Sequence, residues 1–320
     1  MNREIRLLDH GYIRLVETWG SDESIIAAAR MSTDKGFQGW GGECGRCCNG
    51  FVMVDEGRGD ESQPCSRCNG TGYTIGDEKL LRYLWENRHS TPFEMAGAIV
   101  EVQAPIFVFR EWHRHRTQSY NELSARYTPL PDLNYIPTVE RLMLGSDGKN
   151  KQAGTIKGAI PLTVENAERY RAAIAAKYRH DQELYEQFLA AGVPKEIARV
   201  HLPVARYSRM RAGSVLRNWF GFLSLRMPEN AQYEIRVYAE ALLELLFPVF
   251  PRSCALFGED PPLTRKIREH ISSLMKSASY HQESHSNEYL NGCASALEGE
   301  AIELARMIGD PCPIPRGVRP

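Results

Sequence analysis

The chain has 320 residues, 42% of them hydrophobic and 25% charged, with a net charge of −1. At about 150 residues per domain this suggests two domains, each able to bury its own core without staples. A near-neutral balance argues against a polycation built to coat duplex DNA. The longest apolar stretch, 241–250, contains Glu244 and falls short of the roughly 20 residues a membrane span needs. No apolar run follows the first residues, so no signal peptide is expected.

The alternation over 4–18 predicts one or two strands. Ser21 or Asp22 is placed to cap a helix to about Met31. The Gly-rich segment 36–76 interrupts the pattern. Beyond it the sequence predicts a helix over 79–87, a strand over 95–103 and a helix from Pro105 to about Trp112. Residues 145–160 read as a surface loop, and 163–191 as a long helix ended by Gly192. A shorter helix opens at Pro194, another covers 229–247, and a basic helix is expected over 263–276. The Pro-rich end, 311–315, carries no readable pattern.

Five of the eight cysteines lie between 44 and 68. Cys44 and Cys47 form one Cys-x2-Cys pair, and Cys65 and Cys68 form another seventeen residues on. Two residues between thiolates let both reach one ion from a tight turn, and two such knuckles complete a tetrahedral zinc shell. Four thiolates leave no open position, so the expected ion is structural. Cys48 is the odd one out. Disulfides or free thiols are the alternative, but reduced thiols and a cytoplasmic setting are expected without a secretory signal. The run 65–72 resembles half of the zinc knuckle of DnaJ co-chaperones. The window 44–72 has a net charge of −1, which argues against phosphate binding there.

The stretch 110–127 is the densest in chemistry. Arg110 and Arg114 stand four apart on the expected helix, and Arg114, His115 and Arg116 gather at its end, where cations offset the negative helix terminus. An extended chain after Asn121 would point Glu122, Ser124 and Arg126 to one side. A carboxylate, a hydroxyl and a guanidinium so arranged suit a phosphorylated, hydrogen-bonding ligand. A second basic region runs from Glu196 to Arg217 with a net charge of +4, and Arg226 follows. A basic stripe for nucleic acid and an anionic small-ligand pocket both fit that count.

Arg114-His115-Arg116, seven residues and then Ser124 resembles the signature of the flavin-dependent thymidylate synthases. The blocks 27–32, 89–94, 104–110, 193–199 and 223–226 resemble others of that family, in order, over roughly 1–40 and 77–260. The resemblance implies an α+β fold of mostly antiparallel sheet packed with long helices. Here it would form a catalytic domain over 1–260, interrupted by a zinc-knuckle insertion at 40–76 and followed by an extension, 261–320, of no assigned role.

It further implies a homotetramer with shared sites that converts dUMP to dTMP. Methylenetetrahydrofolate would supply the carbon, and FAD re-reduced by NADPH the hydride. The cofactor carries the redox chemistry while the protein supplies position and charge. By resemblance, Glu111, Trp112, His113, Arg114, Glu122, Leu123, Ser124, Ala125, Arg126, Arg199 and Arg226 would hold dUMP, with Arg226 catalytic in favouring a uracil ionised at N3. His89, Thr91, Arg114, His115, Arg116, Asn121, Glu122, Val215, Arg217, Gly221 and Asn230 would surround FAD. Four of these depart from the family pattern. Glu111 stands where Gln is frequent, Val215 and Gly221 where Asn is, and Asn230 where His is. A related methylase or hydroxymethylase acting on dUMP or dCMP is the alternative, since a carboxylate at 111 accepts from an amino group. A zinc-ribbon nucleic-acid binder is the alternative of another class.

Overall fold

The computed structural model describes residues 4–44, 46, 51–55, 60–66, 68, 70–144 and 162–258. Cys47, Cys48, the expected loop at 145–160 and the expected helix at 263–276 lie outside the described residues, as does the rest of the C-terminal extension. The chain divides into two compact units, one of Met1–Trp19 with Gly97–Val249, the other of Gly20–Ala96 with the segment from Phe250.

The first unit is built on a five-stranded antiparallel sheet in the order β1-β2-β7-β9-β8. Its strands are β1 (Glu4–Leu7), β2 (Gly11–Trp19), β7 (Gly97–Pro105), β9 (Tyr207–Val215) and β8 (Ser119–Glu122). The 4–18 alternation therefore resolves into a hairpin, with Glu4 opposite Arg14. Period-two burial explains the sheet. On β7, Ala98, Val100, Val102 and Ala104 are fully buried, while Glu101 and Gln103 keep partial exposure. β9 buries Met210 and Ala212 and exposes Arg209 and Arg211.

Helices α3 (Ile106–Trp112), α7 (Leu216–Arg226) and α8 (Tyr233–Leu246) pack on the sheet and on one another. Each fully buried large apolar side chain, such as Val108, Phe222 or Leu242, contributes about 1.5–3 kcal/mol. Gly11 is required where β2 meets α8, because a Cβ there would lie 2.0 Å from the Tyr238 hydroxyl. That hydroxyl donates to the Gln103 carbonyl at 2.7 Å. The long helix α5 (Val164–Ala190) starts at Thr163, whose side chain accepts from the Asn166 N–H. The short helices α4 (Val139–Met143) and α6 (Lys195–Ala198) pack against it. β9 and α7 have no counterpart among the expected elements, and α8 begins four residues later than expected.

The second unit holds α1 (Asp22–Arg30), α2 (Glu78–Glu86) and α9 (Pro251–Phe257) around Ile25, Ile26, Leu81, Leu84 and Cys254. Asp22 is buried and accepts from the Arg252 and Ser253 backbone N–H groups and the Ser253 hydroxyl. Asp77, also buried, pairs with Arg30 and accepts from the Gln38 N–H.

The segment between α1 and α2 is a nested pair of ladders. β3 (Trp40–Glu43) pairs with β6 (Tyr73–Gly76), and between them β4 (Phe51–Asp55) pairs with β5 (Asp60–Pro64). Gly76 adopts a φ of +57°, and any Cβ there would strike the backbone of Gly39 and Trp40. Cys44 and Cys65 thus emerge just beyond β3 and β5.

Candidate active site

Glu111 sits in the last turn of α3, and the chain leaves the helix through a tight turn over 113–118 before entering β8. That turn is fastened from several directions. The Trp112 indole N–H, fully buried, donates to Gln118 Oε1 at 3.0 Å. The Tyr120 hydroxyl is 2.6 Å from the His115 carbonyl and 3.1 Å from that of Trp112, closing the C-terminal end of α3. The Thr117 carbonyl accepts from the Ser214 hydroxyl and the Asn218 amide, both at 3.2 Å. Burial pushes the Tyr120 phenol up to about 12, so it remains a donor. α3 ends before Arg114, so Arg110 and Arg114 do not share one helix as expected from sequence.

Arg226 closes α7 and reaches back to this turn. Its Nε donates to His115 Nε2 at 2.9 Å, Nη1 to Glu111 Oε2 at 2.8 Å, and Nη2 to the Glu111 carbonyl at 3.2 Å. Phe222, one turn back on α7, packs edge-on against the His115 ring at 4.8 Å and tilted against Trp112 at 4.5 Å. His115 accepts at Nε2, so its proton is carried on Nδ1. Burial and the neighbouring guanidinium depress its pKa to about 4, which leaves the ring neutral near pH 7. Burial raises the Glu111 carboxyl above the usual range; Arg226 opposes that shift and Glu234 adds to it. Glu234 itself is buried and kept ionised by Arg141, with Gln232 and Tyr135 also donating to it.

A second group forms beyond β8. The strand ends at Glu122, and the Leu123 N–H still reaches the Arg209 carbonyl at 2.7 Å. The chain then turns, with the Tyr127 and Thr128 N–H groups donating to the Ser124 carbonyl. Glu122, Ser124 and Arg126 therefore do not line a strand face, because the turn takes over after Leu123. The Ser124 hydroxyl accepts weakly from the Arg126 N–H at 3.4 Å. It has no base beside it among the described residues. Ala125 is buried, and Arg126 meets Glu196 at 3.1 Å. Arg199 caps the C-terminal end of α6.

The remaining expected residues lie as follows. Arg114 and Arg116 are exposed, with no ion pair among the described residues; Asn121 is exposed and His113 packs against Tyr120. Val215 caps α7, Arg217 lies in its first turn, Gly221 is exposed on it, and Asn230 lies exposed between α7 and α8. His89 and Thr91 belong to the second unit, both exposed, where a short 3-10 turn begins at Thr91. Sequence reasoning missed the contact of Arg226 with His115. No spacing in the sequence signals that contact; the apolar periodicities over 207–215 and 216–226, which the arginines interrupt, mark only the strand and helix that lead to Arg226.

Fit to the implied groups can be tested from the donors. Cys44, Cys65 and Cys68 are buried, and their thiol sulfurs lie within 4.8 Å of one another. Cys44 and Cys65 are 3.8 Å apart, and the Gly72 N–H points at Cys68 Sγ at 3.3 Å. Zn–S bonds of about 2.3 Å at tetrahedral angles put sulfurs about 3.8 Å apart, so the set fits zinc. For a phosphate-bearing cofactor, the donors are the uncommitted guanidiniums of Arg114 and Arg116 on a fastened turn, which also fit.

An antiparallel sheet backed by helices, with a neutral histidine and a carboxylate clamping one arginine, defines an α+β scaffold equipped for an anionic ligand. Residues 14–252 match the family described as thymidylate synthase complementing protein. The flavin-dependent thymidylate synthase of Wolbachia pipientis wMel is 34% identical over 262 residues, covering 80% of this chain and 76% of that protein. The enzyme of the same name from Treponema denticola is 33% identical over 260 residues, covering 80% and 82%. In structure, the UMP/dUMP methylase PolB from Streptomyces cacaoi, bound with 5-Br dUMP, is similar with a TM-score of 0.59 and 28% identity. That match covers 79% of this chain and 97% of PolB. The chain belongs to the flavin-dependent thymidylate synthase family. Among the described residues no helix is long and apolar enough to cross a membrane.

Proposed function

We propose that the protein converts dUMP to dTMP. The observation that carries the reading is Arg226, pinned by His115 and Glu111 beside the turn bearing Arg114 and Arg116. In this reading Arg226 faces the uracil, and a fixed cation there lowers the cost of charging the ring at N3. Arg126 and Arg199 take the nucleotide phosphate, and Glu122, Ser124 and the backbone of 123–125 hold its polar edges. Arg114, His115 and Arg116 serve FAD, with Asn121, Arg217 and, by resemblance, His89 and Thr91. Val215, Gly221 and Asn230 offer weaker polar contacts than the residues frequent there.

Bound FAD, re-reduced by NADPH, supplies the hydride, and methylenetetrahydrofolate the carbon. The residues named here bind, orient and exclude water. Arg126 meets Glu196 on α6, whose C-terminal end Arg199 caps; by the family resemblance the protein is a homotetramer that shares its sites. The catalytic domain runs over 1–260, with structural zinc on Cys44, Cys47, Cys65 and Cys68 in the insertion at 40–76. Such thiol ligation suits the reducing cytoplasm.

The test is incubation of purified protein with dUMP, methylenetetrahydrofolate, NADPH and FAD, with mass analysis of the nucleotide. A gain of one methyl group is expected. Flavin-loaded protein that binds dUMP but forms no dTMP overturns the reading, and a hydroxymethyl product or turnover of dCMP favours the related-enzyme alternative.

A further inference from the structure

Arg226 carries five N–H bonds, and its three bonds to Glu111 and His115 leave the others free for a ligand. Glu111 spends only Oε2 and its carbonyl on that guanidinium, and Oε1 has no donor among the described residues. The carboxylate side chain is 28% exposed and the Arg226 side chain 19%. A free acceptor therefore sits beside free donors on one wall. That pairing is complementary to an imide edge, in which an N–H adjoins a carbonyl.

We propose that Glu111 is the base that takes the N3 proton of the pyrimidine. This rests on the dUMP reading above and assigns a catalytic residue within it. The N3–H bond breaks, and a bond forms between that proton and Glu111 Oε1. The electron pair left on N3 delocalises onto O4 and O2, and the anionic ring donates more strongly from N1 through C6 to C5, which is the nucleophilic carbon. Charge is conserved inside the site: the guanidinium exchanges one anionic partner, the Glu111 carboxylate, for another, the uracilate. No ion has to enter or leave. When C5 has formed its bond to the one-carbon unit and the ring charge is discharged, the proton returns from Glu111 to N3. An amide at this position cannot accept that proton, so the step is specific to a carboxylate.

The groups facing Glu111 support the assignment. His115, in the turn after α3, is neutral and competes for no proton near pH 7. Arg226, on α7, holds the carboxylate in place. Glu234, on α8, is the like charge nearest to it, and its own charge is held by Arg141. Burial and Glu234 together raise the Glu111 carboxyl toward the working pH, where a general base is most effective.

The experiment compares wild type with E111Q as flavin-loaded full-length proteins. E111Q is expected to bind flavin and to bind dUMP within about threefold of wild type. Its kcat should fall about 100-fold, and the acid limb of the kcat–pH profile should vanish. E111D should keep the limb. Wild type that forms dTMP, with E111Q within about threefold of its kcat or with the limb intact, overturns the proposal and leaves the dUMP reading standing. Wild type that forms no dTMP fails that reading first. If E111Q does not fold, dUMP binding to wild type is measured by calorimetry in two buffers of different ionisation enthalpy. Capture by Glu111 gives no net proton release, whereas release of one proton per site overturns the assignment.

Discussion

Protonating His115 should cost stability, because its folded environment accepts only the neutral ring. A protonated ring would lose the bond from Arg226 Nε and place two cations 2.9 Å apart. The pKa falls from 6.5 to about 4 on folding. Between those values the unfolded chain binds the extra proton, so unfolding free energy rises with pH there. The contribution is fully present above pH 6.5 and is lost as pH falls to about 4. At 1.36 kcal/mol per unit the full shift would be worth about 3 kcal/mol; solvent reaches a half-buried ring, and screening reduces this to about 1–2 kcal/mol. H115Q keeps an acceptor but cannot titrate. Urea midpoints for both proteins at pH 4.5, 5.5 and 7 should therefore agree near pH 7, with wild type falling progressively below H115Q toward pH 4.5 by the stated amount. Carboxylates that titrate in the same window affect both proteins alike, so the difference isolates His115. Parallel curves for the two proteins would refute the reasoning.

Two further outcomes follow from the local structure. Y120F keeps the ring against His113 but removes the hydroxyl from the His115 and Trp112 carbonyls, which should cost about 1–2 kcal/mol in urea melts and weaken flavin binding. An unchanged midpoint would show that β8 does not fasten the turn. C65S should lower both zinc content and melting temperature while folded protein retains its flavin spectrum. Full zinc occupancy by metal analysis in that variant would contradict the thiolate set.

Much of this was legible in the sequence because the governing signals are local. Ser21 does cap α1, the long helix does run over nearly the expected span and end before Gly192, and the cysteine spacing does bring Cys44, Cys65 and Cys68 together. β9 and α7 were illegible for a physical reason. A central strand with one solvent face carries Arg209 and Arg211 outward, and that alternation was masked by counting arginines as a charged run. The same count hid the end of the wall after Asn121, since Leu123 looks like any strand residue until the Ser124 carbonyl is seen to accept from two N–H groups. The clamp on Arg226 joins residues more than a hundred positions apart, and no spacing rule reaches that far.

That arginine count also bears on what the protein offers a ligand. Of the guanidiniums between 196 and 226, Arg206 is fully buried; it donates to Asp132, Gln182 and the Leu130 carbonyl, holding β9 to neighbouring segments. Arg211 lies against Glu101, which also takes Arg14 and the Tyr12 hydroxyl. Arg226 is matched by Glu111. Two of the five guanidiniums behind the net charge of +4, Arg206 and Arg211, are thus taken up within the fold, which weakens the solvent-facing basic stripe that nucleic acid would need. What survives is directional: guanidiniums whose remaining N–H bonds are aimed by acidic and neutral partners. Fixed donors of that kind discriminate a small, partly charged ring from a long polyanion, because they reward one orientation rather than total charge.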